Sequence, residues 1–176
     1  MASKLVLTVV GPDQPGLVDR MTGFLSARGF NLEDSRMAVL GGEFAGILLV
    51  SGEVEAAEGA AGLATKLETL TGMSITVRET TAHPHGKPGI PFLIHGYSMD
   101  HPGIVHALAH EVAALGANIE SMDTATQPAP VSGAPLFEVR MRISLPLEVS
   151  ITELRRRLNE VGEKKNIDVT VEPAGA

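Results

Sequence analysis

The spacing of apolar positions changes period several times along the chain, and the changes come twice in the same order. Residues 4–10 are short, apolar and β-branched and run into Gly11-Pro12, which predicts a strand and then a turn. Over 16–28, Leu17, Val18, Met21, Phe24 and Leu25 fall on one helical stripe that Gly29 stops. Residues 32–40 and 44–50 predict two strands joined by Gly41-Gly42, a hairpin pair. Residues 56–70 predict a helix with Ala60, Leu63, Ala64, Leu67 and Leu70 inward, weakened by Gly59 and Gly62 at about 1 kcal/mol each. Met73, Ile75 and Val77 then alternate with polar residues as a last strand.

The second half repeats this order. Residues 92–97 form a strand, and 102–115 a helix burying Ile104, Val105, Leu108, Val112 and Leu115. Residues 119–126 and 136–145 make a hairpin with a long loop at 127–135. A helix over 151–161 and an alternating strand at Ile167, Val169 and Val171 close the chain. Each half therefore reads β-α-β-β-α-β, an α+β ferredoxin-like unit: a four-stranded antiparallel sheet with two helices on one face. His83-Pro84-His85-Gly86-Lys87-Pro88-Gly89 suits neither a helix nor a central strand, which sets the domains at 1–80 and 91–176 with a linker at 81–90. In the second half Phe137, Val139, Met141, Ile143 and Leu145 alternate with polar residues, so one sheet face is expected to be wet. Ile47-Leu48-Leu49-Val50 is apolar without a break, so both faces of that strand are expected to be covered, by the sister domain or another protomer.

The duplication is also literal. Asp13, Pro15, Gly16, Gly29 and Asn31 recur as Asp100, Pro102, Gly103, Gly116 and Asn118, each 87 residues further on. The repeated unit is a domain, not a short solenoid repeat.

Composition narrows the chemistry. The 176 residues contain no cysteine, which removes disulfides, thiolate metal sites and a cysteine nucleophile. A net charge of −7 with no tryptophan argues against direct nucleic-acid binding, which needs a basic surface. The one compact basic cluster, Arg155-Arg156-Arg157, reads as the solvated side of a helix. No apolar run approaches the ~20 residues of a membrane helix, and the start of the chain has no signal-peptide pattern, so a cytoplasmic protein without membrane contact is expected. Cores of under ~100 residues each, and the doubly apolar strand, lead us to expect a homodimer.

The junction between first strand and first helix is the most specific feature of each half. Asp13-Gln14-Pro15-Gly16 places an aspartate at the expected N-cap, a proline in the first turn and a glycine that admits close backbone approach. The bland reading is helix capping; the functional one is a carboxylate site on free first-turn N–H groups, with Asp13 facing a ligand ammonium. His106 and His110 are four apart on a helix, a chelating interval, but lie opposite its apolar stripe, so no metal is expected. His101, inside the loop motif, is the histidine of most interest. There is no nucleophile elbow, no phosphate loop and no nucleophile–base pair, so no enzyme and no cofactor are expected. Glu33-Asp34-Ser35-Arg36 puts polar side chains on both faces at a strand start, as an exposed strand end or a functional run.

A β-α-β-β-α-β repeat that opens each time on Asp-x-Pro-Gly resembles the ACT domain family. More narrowly, Asn31-Leu32-Glu33-Asp34-Ser35-Arg36-Met37-Ala38-Val39-Leu40-Gly41-Gly42-Glu43-Phe44 resembles the corresponding run of the glycine cleavage system transcriptional repressor family, which consists of two ACT domains. The resemblance implies a regulatory module that binds an amino acid or similar small metabolite at the junction of paired domains. By position it implies ligand-binding residues Asp13, Gln14, Pro15, Gly16 and Asn31, with Asp100, His101, Pro102, Gly103 and Asn118 as the second set. It also implies a protein partner such as a transcriptional activator, in place of DNA. The second half lacks the Glu-Asp-Ser-Arg run, so the two sites are expected to differ. The alternative is an interaction scaffold whose loop motifs only cap helices.

Overall fold

The computed structural model describes residues 3–53, 59–80, 89–129 and 133–174. The chain divides into two compact units, Met1–Pro84 and His85–Ala176. Residues 81–88 of the expected linker lie outside the described residues, and the next strand begins at Gly89.

In the first unit β1 (Ser3–Pro12), α1 (Leu17–Ala27), β2 (Asn31–Leu40), β3 (Glu43–Gly52), α2 (Gly59–Thr71) and β4 (Ser74–Thr80) follow one another. The sheet order is β2-β3-β1-β4, with all pairs antiparallel. Leu5, Leu7, Val9, Phe44, Leu48 and Val50 point from the sheet into one core with Leu17, Met21 and Leu25 of α1 and Leu63 and Leu67 of α2. The glycines between β2 and β3 both have positive φ (62° and 85°), the geometry of a two-residue I′ turn, which closes the Leu40–Glu43 pair.

The second unit repeats the plan: β5 (Gly89–Met99), α3 (Ile104–Ala114), β6 (Asn118–Pro128), β7 (Pro135–Pro146), α4 (Ile151–Lys165) and β8 (Asp168–Pro173), in sheet order β6-β7-β5-β8. Val139, Met141, Ile143 and Leu145 face inward against Leu108 and Val112 of α3 and Leu154 and Leu158 of α4. Both sheets thus carry their helices on one face. No helix among the described residues is long and apolar enough to cross a membrane.

One expectation is corrected. β1 does not turn at Gly11-Pro12; it runs on through Pro12, which pairs with Glu43. Proline is tolerated there because it is the last residue of the strand. Within the first unit the burial of β3 alternates, and Ile47 is 50% exposed because its side chain lies on the sheet face away from both helices. Finally, β2 and β6 are not regular. Each carries a one-residue bulge, at Glu33 and Glu120, which lie outside the Cα pairing of their strands.

Candidate functional site

The two strand-to-helix loops are built alike, but not as capped helix starts. The residue before α1 is Gly16, at φ 77°, and that before α3 is Gly103, at φ 93°; neither helix receives a side-chain cap. A left-handed backbone of this kind is cheap for glycine and costs other residues about 1–2 kcal/mol. With these glycines at the N-cap, Asp13 and Asp100 stand four residues before the first helical residue, and Pro15 and Pro102 lie outside the first turn. The expected capping roles of the aspartates and prolines are therefore wrong. Asp13 and Asp100 instead anchor the loop by their backbone: the Asp13 N–H donates to the Gly42 carbonyl (2.9 Å) and the Asp100 N–H to the Pro135 carbonyl (3.0 Å).

The second residue of each motif also has a shared task. Gln14 Nε2 donates to the carbonyl of Thr71, the last residue of α2, at 2.8 Å. His101 Nε2 lies 3.0 Å from the carbonyl of Lys165, the last residue of α4, and its Nδ1 lies 3.2 Å from the Pro102 carbonyl. Both side chains thus tie the loop to the end of the second helix of their domain and satisfy a helix-terminal carbonyl there. The loops differ in charge: α1 carries Asp19 in its first turn, while α3 has no acidic residue in its first turn. An anion meets less repulsion at the second.

Asn31 and Asn118 do not join these loops within their own domain. Asn31 pairs with Ser51, which pairs with Lys4, at the start of β1, whereas the loop follows Pro12 at its end. Eight residues of strand at about 3.3 Å each put roughly 26 Å between them. Asn118 stands in the same relation, opposite Ser144 near the start of β5. Beside each asparagine is the bulge glutamate, held by a cation: Glu33 by Lys4 (2.7 Å) and Glu120 by Arg142 (3.2 Å). The Lys4 hydrogen bond, with one from Ser51, holds the Glu33 carboxyl below the usual carboxylate range. The pair has a signal in the sequence, since Asn-x-Glu recurs at the same 87-residue offset as the loop motif.

The remaining candidates resolve into structural roles. In the Glu33-Asp34-Ser35-Arg36 run, Asp34 Oδ1 accepts from the Ser35 N–H (2.8 Å) and pairs with Arg36 (2.7 Å). Arg156 pairs with Glu153 and Glu160, Arg157 with Glu153 and Glu111, and Arg155 donates to the Val171 carbonyl, so the basic triplet is spent on its own domain. His106 and His110 are both exposed with ring centroids 6.0 Å apart. Among the described residues no group of three or more His, Asp or Glu side chains is placed to hold a metal ion.

A duplicated βαββαβ unit with a glycine at each strand-to-helix junction defines a tandem module of the ferredoxin-like type. Residues 3–78 match the ACT domain family. The chain is 29% identical over 156 residues to the glycine cleavage system transcriptional repressor of Escherichia coli (strain K12), covering 86% of this chain and 80% of that protein. It is 27% identical over 183 residues to phosphoserine phosphatase SerB2 of Mycobacterium tuberculosis, covering 97% of this chain but 41% of the phosphatase. Among solved structures, an unknown protein from Galdieria sulphuraria superposes with a TM-score of 0.87 at 31% identity, covering 99% of this chain and 100% of that one. A provisionally assigned glycine cleavage system transcriptional repressor gives a TM-score of 0.72 at 19% identity, over 100% and 99% of the two chains, a likeness of fold. The first domain thus matches the ACT family, the second repeats its fold and its loop motif, and the chain over most of its length is similar to a glycine cleavage system transcriptional repressor.

Proposed function

We propose that this chain is a non-enzymatic regulator that binds an amino acid or similar small metabolite and passes its occupancy to a protein partner. The observation that carries the reading is the loop itself, kept in both domains with a left-handed glycine in place of a side-chain cap. Such an opening leaves first-turn N–H groups for a ligand carboxylate, aided by the helix dipole. Since the loop and the asparagine stand at opposite ends of one sheet, a ligand touching both sits between two paired ACT domains. A homodimer would supply that pairing. A ligand in such a junction favours one arrangement of the domains and shifts a partner by the ~1–3 kcal/mol usual for coupling. Likeness to the repressor makes a transcriptional regulator of glycine cleavage the partner class to test first.

Calorimetric titration with the standard amino acids at millimolar concentration tests the reading. Saturable binding of one of them is expected, weakened by Gly16→Val or Gly103→Val in a protein that keeps its far-ultraviolet circular dichroism. No heat from any amino acid overturns the sensing role.

One observation favours a second reading, the interaction scaffold. The face of the first sheet away from its helices presents Val10 and Ile47, both about half exposed, beside Val6 and Leu49. A homodimer that Ile47→Asp dissociates in sedimentation, with no ligand found, supports the scaffold instead.

A further inference from the structure

The helix-free faces of the two sheets have diverged, and the register shows how. In the first sheet the rows across β3, β1 and β4 read Ala45–Val10–Ser74, Ile47–Thr8–Thr76 and Leu49–Val6–Arg78. The matching rows of the second sheet, across β7, β5 and β8, read Glu138–Tyr97–Asp168, Arg140–His95–Thr170 and Arg142–Leu93–Glu172. The β3 positions, Ala45, Ile47 and Leu49, are apolar in one copy, and their counterparts on β7, Glu138, Arg140 and Arg142, are charged in the other.

The organisation centres on Glu138, whose side chain is only 15% exposed. His95 Nε2 lies 2.6 Å from its Oε1, and Arg140 Nε donates to the same oxygen at 2.6 Å and approaches His95 Nε2 at 3.1 Å. The Tyr97 ring lies 4.8 Å from that of His95. The His95 hydrogen bond, with lesser help from Tyr97 and Arg140, holds the Glu138 carboxyl below its usual range. A carboxylate fixed in this way orients a guanidinium that still has further N–H donors to offer. Beside this network is a cavity of about 220 Å³ lined by Leu93, Ile94, His95, Arg140, Thr170 and Glu172. That is below the ~300–1,000 Å³ that houses drug-sized ligands, so its occupant is small.

We infer that this cavity is a second ligand site, separate from the loops, for a small zwitterion: a free α-amino acid with a short apolar side chain. Arg140 and the Thr170 hydroxyl receive the carboxylate, Glu172 takes the ammonium, and Leu93 carries the side chain. The chemistry is that of a charge-assisted pair at each end of a molecule too small for other contacts. The first sheet cannot form the site, because Thr8, Ile47 and Arg78 replace His95, Arg140 and Glu172. The inference does not depend on the loop reading.

The chain supplies its own probe. Tyr97 is its only tyrosine and there is no tryptophan, so its near-ultraviolet emission comes from a ring 4.8 Å from that of His95, which lines this cavity. The full-length protein is titrated with L-alanine and L-valine, and with ethylamine and propionate, each of which keeps one of the two charges. A saturable change of Tyr97 emission is expected for the amino acids, with the half-ligands weaker by about tenfold or more. Glu172→Gln, at an exposed position, and Arg140→Gln are each expected to weaken the amino acids by a similar factor, with circular dichroism unchanged; Gly16→Val should leave the Tyr97 response as it is. Calorimetric heat without a Tyr97 response puts binding elsewhere and overturns this site while leaving the loop proposal standing. A Tyr97 response that survives both Gln variants, or is equal for propionate and alanine, also overturns it.

Discussion

Phe30 and Gly52 form a cross-strand contact whose sizes are exchanged in the other domain, and the exchange can be tested by reversing it. A Cβ added at Gly52 would stand 2.4 Å from Cδ1 of Phe30, 2.8 Å from Cε1 and 2.9 Å from Cγ. Phe30 is 8% exposed and belongs to the first core. Its N–H is bonded to the Leu25 carbonyl at 3.0 Å, so the backbone that carries the ring is fixed. In the second domain the corresponding positions, next to the Asn118–Ser144 pair, are Ala117 and the buried Leu145. One copy places a large residue against glycine; the other places a small one against leucine. Gly52→Ala forces the ring to retreat by about 1 Å, which overpacking data price at about 1–3 kcal/mol. Gly52→Leu costs more, and Phe30→Ala costs about 3–5 kcal/mol for the cavity it leaves. The double variant Phe30→Ala with Gly52→Leu installs the arrangement of the second domain. It is expected to be more stable than the sum of its parts by about 1–3 kcal/mol, the coupling of residues in contact. For a unit the size of Met1–Pro84, each kcal/mol moves the midpoint by about 4–8 °C. Urea unfolding followed by circular dichroism measures the total, and amide exchange in β1 and β3 assigns it to the first domain. Additive costs, within about 0.5 kcal/mol, would refute the claim that the two positions share one volume.

Gly162→Ala in α4 should reverse the usual sign: alanine normally favours a helix interior by about 1 kcal/mol, but here its Cβ would stand 2.6 Å from the Ile167 carbonyl oxygen, so thermal melting is expected to show a net loss of about 1–3 kcal/mol. Arg156 and Arg157 together hold the Glu153 carboxyl at about 2 against its ordinary 4.5; a lowered folded value means the support is present above about 4.5 and lost as pH falls towards 2. An acid melt should therefore show Glu153→Gln losing less stability over that interval than the parent, and equal acid slopes would contradict it. Gln14→Ala should remove the hydrogen bond to Thr71 and lower stability by about 0.5–1.5 kcal/mol, while His101→Gln, which can keep one carbonyl contact, should cost less than His101→Ala in the same melts.

Much of this architecture can be read from residue periodicity, because each element is set by local chemistry. Gly41-Gly42 could close only a tight hairpin, and the 139–145 alternation fixed the core face of β7. Sequence misled where a backbone conformation displaced a side-chain preference. Asp13 looks like a cap until Gly16 takes up a left-handed turn and moves the helix start beyond its reach. The candidate residues themselves were legible as a repeat, but their grouping was not. That Asn31 stands at the far end of the sheet from Asp13 follows from strand register, and the Gln14–Thr71 link spans 57 residues. His95, Glu138 and Arg140 gave no motif, since they meet only across paired strands.

The bulges have a further implication. In a regular strand, deleting one residue transfers every later side chain to the opposite face, which would turn outward Met37, the β2 side chain packed against the core. At Glu33 and at Glu120 the residue is surplus to the ladder, so a one-residue deletion there leaves both the upstream and downstream pairs in step. Chain length at these two points is structurally negotiable, yet both copies retain the extra residue, and in both it is a glutamate tied to a cation. What has been preserved there is an acid group held off the strand, not a requirement of the sheet.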